Sequence, residues 1–330
     1  MRIDKIIDRI SKTIFPWSLI PHILSGSIPL SLRIFVWLIH LKRKYLVRKK
    51  GSFKWLYNIE DIKEYNIPAS ALDPKTKKMG ISALARLKNA EEFLETCVGE
   101  LLPLIDEMIL LVDINSSDKT EEICQSLSKK HPKKCKFFKY APEVYPWNHP
   151  KYSSTPDNSV HALSYFYNYC LSKASYRYVM KFDDDMLVIP ENFKEMIDHI
   201  HREQPMEMML ALPQINVSLD ANGEYAIATK YLQSGIAALF WDHGIFPISE
   251  ETYFYNDTGC ENIIMPHKIK YGKISFLHLK NLKSDQGLKN YTGYGKKYVE
   301  DLQRGTEYIS LPKKYRDTIK NALWDSKPIL

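Results

Sequence analysis

Three consecutive aspartates, Asp183-Asp184-Asp185, stand between two apolar runs, Tyr178-Val179-Met180-Lys181-Phe182 and Met186-Leu187-Val188-Ile189. Carboxylates crowded at the end of a buried strand lose solvation and repel one another. A divalent cation relieves that repulsion. Mg²⁺ and Mn²⁺ prefer oxygen ligands, usually one or two carboxylates, with substrate phosphates completing the shell. Alternate residues of an extended turn point the same way, so Asp183 and Asp185 are expected to face one ion or its nucleotide. The bland alternative, an exposed acidic turn, fits poorly between two apolar runs. A further carboxylate, Asp113, ends the apolar run Met108-Ile109-Leu110-Leu111-Val112. There it suits the imide N–H of a pyrimidine, and it also suits the turn that opens the next helix.

These residues need a frame, and the pattern of apolar residues supplies one. Met79 to Ala85 reads as a buried strand, Met108 to Val112 as a second, Cys135 to Tyr140 as a third and Tyr178 to Phe182 as a fourth. Between them lie helical stretches. Asn89 with Glu92 resembles a capping box, Asp118 with Glu121 opens the next helix in the same way, and a third helix is expected over Asn158 to Ser172. Strand and helix alternate from Met79 to Phe182, the signature of crossover units in a parallel sheet covered by helices on both faces. Ligands bind such sheets beyond the carboxyl ends of the strands. Arg86, Asp113 and the Asp triplet should therefore share one crevice. Ser234 to Trp241 reads as a later buried strand, Asp242 to Phe246 as a turn over the crevice, and Ile274 to Lys280 as a strand around His278.

The chain has 330 residues and a net charge of +7, which favours anionic partners. Much of the excess lies in Lys42, Arg43, Lys44, Arg48, Lys49 and Lys50, directly after the apolar residues 14–41. Pro16, Pro21, Gly26, Pro29 and Arg33 interrupt that stretch, and a spanning helix needs roughly 20 uninterrupted apolar residues. Residues 1–50 are thus expected to lie on a membrane surface, with Trp17 and Trp37 as anchors, or to pack as a helix on the domain. The charge sits beside apolar sequence without a groove-reading motif, so nucleic acid is not the expected partner. No secretory signal is expected at the N-terminus. Cys97, Cys124, Cys135, Cys170 and Cys260 include no CxxC pair, which points to a reducing compartment. The four N-x-S/T sequons, at Asn115, Asn216, Asn256 and Asn290, are read as unmodified.

Residues 79 to about 285 resemble a GT-A glycosyltransferase, close to family 2. The resemblance runs through Gly80 to Ala83 and Lys88 to Glu92, then Val112 to Thr120, then Asn158 to Ala174, and ends on Asp183-Asp184-Asp185 at the place of the DxD motif. Ile114 and Asn115 replace an acid and a glycine of the family's loop, and Tyr167 stands where Arg is usual, before Asn168. The resemblance implies a three-layer α/β/α catalytic domain at 79–285 with a mainly parallel sheet. Residues 79–190 form its nucleotide-sugar half and 191–285 its acceptor half. An N-terminal helical segment at 1–50, a connector at 51–78 and a lid with closing helices at 286–330 complete the chain.

It also implies transfer of a sugar from a nucleoside-diphosphate donor, with UDP favoured, to a hydroxyl acceptor such as a lipid-linked glycan or surface polysaccharide precursor. The cofactor would be Mn²⁺ or Mg²⁺, and the place of work the cytoplasmic face of a membrane. Asp183, Asp185 and His278 are the implied metal residues, although a lone His in an apolar strand is more often a core residue. Asp113, Asn115, Asp183, Asp184 and Lys280 are implied on the donor, with Asp184 alternatively holding the turn. Arg86 is equally suited to the diphosphate and to an acid in the crevice. Glu261 or Asp257 is the implied general base, which would invert the anomeric carbon; a helix N-terminal charge is the alternative for Glu261. A sugar nucleotidyltransferase would want a glycine-rich basic loop where Leu87-Lys88-Asn89-Ala90 stands. An inactive GT-A-like binding subunit is the other rival.

Overall fold

A computed structural model describes residues 41, 57–146, 149–228, 244–249, 252–257, 260–264, 268–284 and 307–325. The expected membrane segment apart from Leu41, the expected strand Ser234–Trp241, and Tyr291 and Tyr294 of the expected lid lie outside them. Among the described residues no helix is long and apolar enough to cross a membrane.

The alternating half folds as β1 (Lys78–Leu87), α1 (Leu94–Leu101), β2 (Glu107–Asp113), α2 (Thr120–Lys130), β3 (Cys135–Tyr140), α3 (Leu163–Ser172) and β4 (Tyr176–Phe182). These four strands are mutually parallel in the order β4-β1-β2-β3. After β4 come β5 (Met186–Val188), α4 (Pro190–Glu203), β6 (Met208–Ala211), β7 (Gln214–Asn216), β8 (Ser218–Leu219), β9 (Tyr225–Ala228) and β10 (Gly244–Pro247). Then follow β11 (Tyr253–Asp257), β12 (Cys260–Ile264), β13 (Lys268–Tyr271), β14 (Phe276–His278), β15 (Tyr308–Ser310) and α5 (Lys313–Asp325). The central sheet has the order β13-β6-β10-β4-β1-β2-β3, with β10 alone antiparallel to its neighbours.

Side chains alternate across a strand, and both faces of this sheet are covered. Ile81, Ala83, Ala85 and Leu87 of β1, Met108, Leu110 and Val112 of β2, and Tyr178, Met180 and Phe182 of β4 share a core with α1, α2, α4 and α5. Leu84, Ile109, Leu111 and Val179 face the other way, into a core with α3. The architecture is three-layer α/β/α with a mainly parallel sheet, as the alternation predicts. Gly80, at φ +139°, bulges β1 where it meets β4; a Cβ there would lie 2.4 Å from the Tyr176 ring and 2.6 Å from Asp106.

Several local expectations are corrected. Residues 57–76, expected as part of a connector, contribute Tyr65, Ile67 and Leu72 to the α3 core. Tyr65 sits edge-on to Tyr140, and Glu60 accepts hydrogen bonds from the Ser159 hydroxyl and the Val160 N–H. The third helix begins at Leu163 rather than near Asn158. Asn89 is not a helix cap: it takes φ +48°, and its Oδ1 accepts the Ser117 N–H at 2.8 Å. Glu92 instead binds the Ser284 N–H, at 3.0 Å to each carboxylate oxygen. Gly244, Ile245 and Phe246, expected in a turn over the crevice, belong to the buried strand Gly244–Pro247 of the central sheet. The region of Glu261 is a hairpin strand, not the start of a helix. Part of the expected closing helices, Tyr308–Ser310, pairs with β9 as a strand.

Candidate active site

The sheet's strand order reverses between β1 and β4: β2 and β3 build outward on one side, and β4 joins on the other. Such a switch point opens a crevice at the strands' carboxyl ends. Arg86 and Lys181 project on the α3 face, because they share parity with Leu84 and Val179. Both are almost wholly buried, and both meet Asp183. The Arg86 Nη2 stands 2.9 Å from Asp183 Oδ1, and the Lys181 Nζ 3.4 Å from Oδ2. Beneath them lies Tyr167 of α3, its ring centroid 4.2 Å from the Arg86 guanidinium carbon. Burial opposes the charge on Arg86, but Tyr167 and Asp183 outweigh it and hold the guanidinium charged. Arg86 thus pairs with an acid of the crevice, one of its two expected roles.

The other two aspartates find partners from the far end of the chain. Asp184 meets the Lys283 Nζ at 2.6 Å, both side chains being nearly sequestered from solvent. Burial pushes the Asp184 carboxyl up to about 7 against the pull of Lys283. Burial likewise opposes the charge on Lys283, yet Asp184 and Asp185 hold it above the ordinary lysine range. For Asp185, burial acts upward, but the charges of His278 and Lys283 prevail and lower the carboxyl to about 2. The His278 Nε2 is 3.4 Å from the buried Asp185 Oδ1, the pair that draws the carboxyl down. The opposite ring nitrogen, Nδ1, is 3.0 Å from Asn216 Oδ1.

A pH dependence follows from Asp184. Its folded-state pKa of about 7 exceeds the ordinary 3.8, so the folded chain holds a proton that the unfolded chain has lost. The stability this group contributes is full below the unfolded value and is lost as pH rises through about 7. In thermal melts across that window, Asp184→Asn, which cannot titrate, should gain on the wild type as pH rises. A difference that stays constant with pH would count against the assignment.

Asp113 is fully buried at the end of β2. Its Oδ1 accepts the Asn115 backbone and side-chain N–H groups, each at 2.8 Å, and its Oδ2 lies 3.2 Å from the Lys88 Nζ. Asp118 receives the Thr120 N–H at the start of α2 and the Glu91 N–H at 2.9 Å, which ties the β1 and β2 turns together. Lys280 opens a short 3₁₀ turn directly after β14. Asp257 and Glu261 lie on paired strands of one hairpin, where Asp257 faces Cys260 and Glu261 faces Asn256 in the ladder; their side chains are outside the described set. That hairpin is fixed to α3 by Asn168, whose amide accepts the Phe254 N–H at 2.7 Å and donates to the Phe254 C=O at 2.8 Å.

The expected trio of metal residues is not assembled. Asp183 is turned to Arg86 and Lys181, and among the described residues no group of three or more His, Cys, Asp or Glu is placed to hold an ion. Asp185 and His278 do fit as a pair. Two ligands of an octahedral Mg²⁺ or Mn²⁺ lie about 3 Å apart, and here a buried carboxylate oxygen and an imidazole nitrogen stand at 3.4 Å.

No protein-family model matches this chain, and no curated protein matches it. Solved structures do. S. aureus TarS 1–349 in complex with UDP-GlcNAc is similar at 15% identity and a TM-score of 0.42, over 75% of this chain and 72% of that one. The same fragment in complex with UDP is similar at 14% identity and a TM-score of 0.39, over 74% and 71%.

Two residues of the site escape a reading by local pattern. Lys181 looks like a strand residue, and only its position two before Asp183 within an otherwise apolar run signals it. Asn216 looks like a glycosylation sequon, and nothing near it in sequence points to His278.

Proposed function

We propose that this chain is a GT-A glycosyltransferase, resembling family 2, that moves a sugar from a nucleoside-diphosphate donor, UDP favoured, to a hydroxyl acceptor. The observation that carries the proposal is the pair at Asp185 and His278: a buried carboxylate oxygen 3.4 Å from an imidazole nitrogen at the crevice of a parallel sheet. Neighbouring Asp183, compensated by two buried cations, gives the same crevice a fixed charge pattern.

In this proposal Asp185 and His278 hold Mg²⁺ or Mn²⁺, which when bound neutralises the departing diphosphate as a Lewis acid. Arg86 and Lys181 keep Asp183 ionised and aimed, and Lys280, just beyond His278, meets the donor's phosphates. Asp184 holds the turn through Lys283 rather than touching the donor. Asp113 receives the base once Lys88 moves aside, with Asn115 fixing the carboxylate's other oxygen. Glu261 or Asp257, on the hairpin held by Asn168, takes the proton from the acceptor hydroxyl as it attacks, which inverts the anomeric configuration. The basic and apolar N-terminal sequence supports a membrane-surface location and a lipid-linked or surface-polysaccharide acceptor.

Thermal stabilisation by UDP-, GDP- and CMP-sugars, each with and without Mn²⁺, tests the proposal. A donor at 100 times its dissociation constant should stabilise the protein by about 2.7 kcal/mol. The stabilisation should be greatest for a UDP-sugar with Mn²⁺, and Asp185→Asn should lose the part that depends on metal. A protein indifferent to every donor would sink the proposal.

A further inference from the structure

We infer that the cavity between α4 and the end of β13 binds the phosphate group of a small ligand, held by Lys270, His199 and Arg202. The site is separate from the crevice and uses none of its residues. Because α4 returns the chain to the start of β6, which is parallel to β4, the helix runs away from the carboxyl ends of the strands. His199 lies about 14 Å along its axis from Pro190.

Residues 191, 195 and 199 recur at every fourth position and so share one face of α4. The first two carry carboxylates that meet lysines from elsewhere: Glu191 with Lys314 of α5 at 3.5 Å, and Glu195 with Lys273 at 2.6 Å. The third position carries His199 instead of an acid, and the lysine it faces across the cavity is Lys270 of β13. Among the described residues Lys270 has no carboxylate partner, and the His199 Nε2 is buried without a hydrogen-bond partner. Burial first, and then the charge of Lys270, holds the imidazole below the ordinary histidine range; Glu203 opposes this and Arg202 adds to it. Arg202 meets Glu203 through Nε at 2.8 Å, which leaves its Nη groups for another acceptor.

The cavity measures about 570 Å³, within the range of small-ligand sites. Its floor is apolar, made by Leu210 of β6 and by Met196, which packs so closely on Gly272 that a Cβ there would lie 2.5 Å from the sulfur. Over that floor an ammonium, a guanidinium and an imidazole from two elements come together, and the series of acids that balances the neighbouring lysines is interrupted. What the arrangement lacks is an anion. Phosphate suits it, because its several oxygens can accept from all three groups, and such charge-assisted bonds are the strong ones. Asp198, also on the rim, opposes any anion, so its charge should weaken binding.

The test uses the full chain with ¹³C-labelled histidine rings, followed by NMR at constant ionic strength; His199→Gln assigns the signal. Inorganic phosphate or glucose 6-phosphate should shift the His199 resonances saturably. Either should also raise the pH at which the ring titrates, since a bound anion favours the protonated form. Tighter binding of glucose 6-phosphate would identify a sugar phosphate as the ligand, and tighter binding of inorganic phosphate the free ion; both support the site. Lys270→Gln, a change at an exposed side chain, should weaken binding by about tenfold or more, the worth of one charge-assisted hydrogen bond. Asp198→Asn should strengthen it. The inference is overturned by the absence of a saturable shift, by an equal shift with chloride, or by unchanged affinity in Lys270→Gln.

Discussion

Lys283→Ala should destabilise the protein by about 3–5 kcal/mol, the usual cost of removing one partner from a buried ion pair. The ammonium lies 2.6 Å from Asp184, and the side chains are 5% and 14% exposed. Without Lys283, Asp184 would be a buried carboxylate beside two others, and its only relief would be to take up a proton. Urea denaturation at a pH above the Asp184 value of about 7, where both members of the pair are charged, measures the loss directly. The double substitution Lys283→Met with Asp184→Leu should recover most of it, since well-packed apolar groups commonly replace a buried pair at little cost. A loss in Lys283→Ala below about 1 kcal/mol, the range of an exposed pair, would mean that the two charges are not buried together.

Arg86→Met should cost about 3 kcal/mol, the lower end for a broken buried pair. Asp183 retains Lys181 and some contact with solvent, which moderates the loss. Part of the cost is the guanidinium's stacking on Tyr167, worth about 0.5–2 kcal/mol. Donor binding should weaken with it, because Asp183 loses the partner that fixes its orientation. Arg86→Lys should not rescue either property: an ammonium keeps the charge but neither stacks as a plane nor reaches two partners at once. Arg86 meets Asp183 through Nη2 while Nη1 faces the Phe182 carbonyl at 3.4 Å. Chemical denaturation and donor titration of the two variants check this. An Arg86→Lys protein equal to wild type in both would show that charge alone suffices.

The parallel half of the fold was legible because its signals are local. Apolar runs of strand length, ending in polar residues, placed β1 to β4 within two residues of their observed ends. β10 was misread for the opposite reason. Gly244–Pro247 becomes a strand only because β4 and β6, distant in sequence, offer edges on both sides. Asn89 followed by Glu92 has the spacing of a capping box, but tertiary partners, Ser117 and Ser284, claim both side chains. In the site, the triplet and Asp113 were visible as carboxylates at strand ends. Their partners were not. Lys283 lies 99 positions from Asp184 and Asn216 lies 62 from His278, and no local pattern encodes contacts of that span.

Tyr167 and Asn168 are consecutive residues of α3, and both reach the β11–β12 hairpin, the Tyr167 ring standing edge-on to Phe254 at 5.3 Å between centroids. Tyr167 also underlies Arg86, the partner of Asp183, and Asn168 grips the main chain of the hairpin that bears Asp257 and Glu261. A single helical turn therefore acts as a gauge block, tying the Arg86 that holds Asp183 and the hairpin to one piece of backbone. Sliding that helix would displace Arg86 and the hairpin in concert, and substitutions buried along its length can upset both while touching neither.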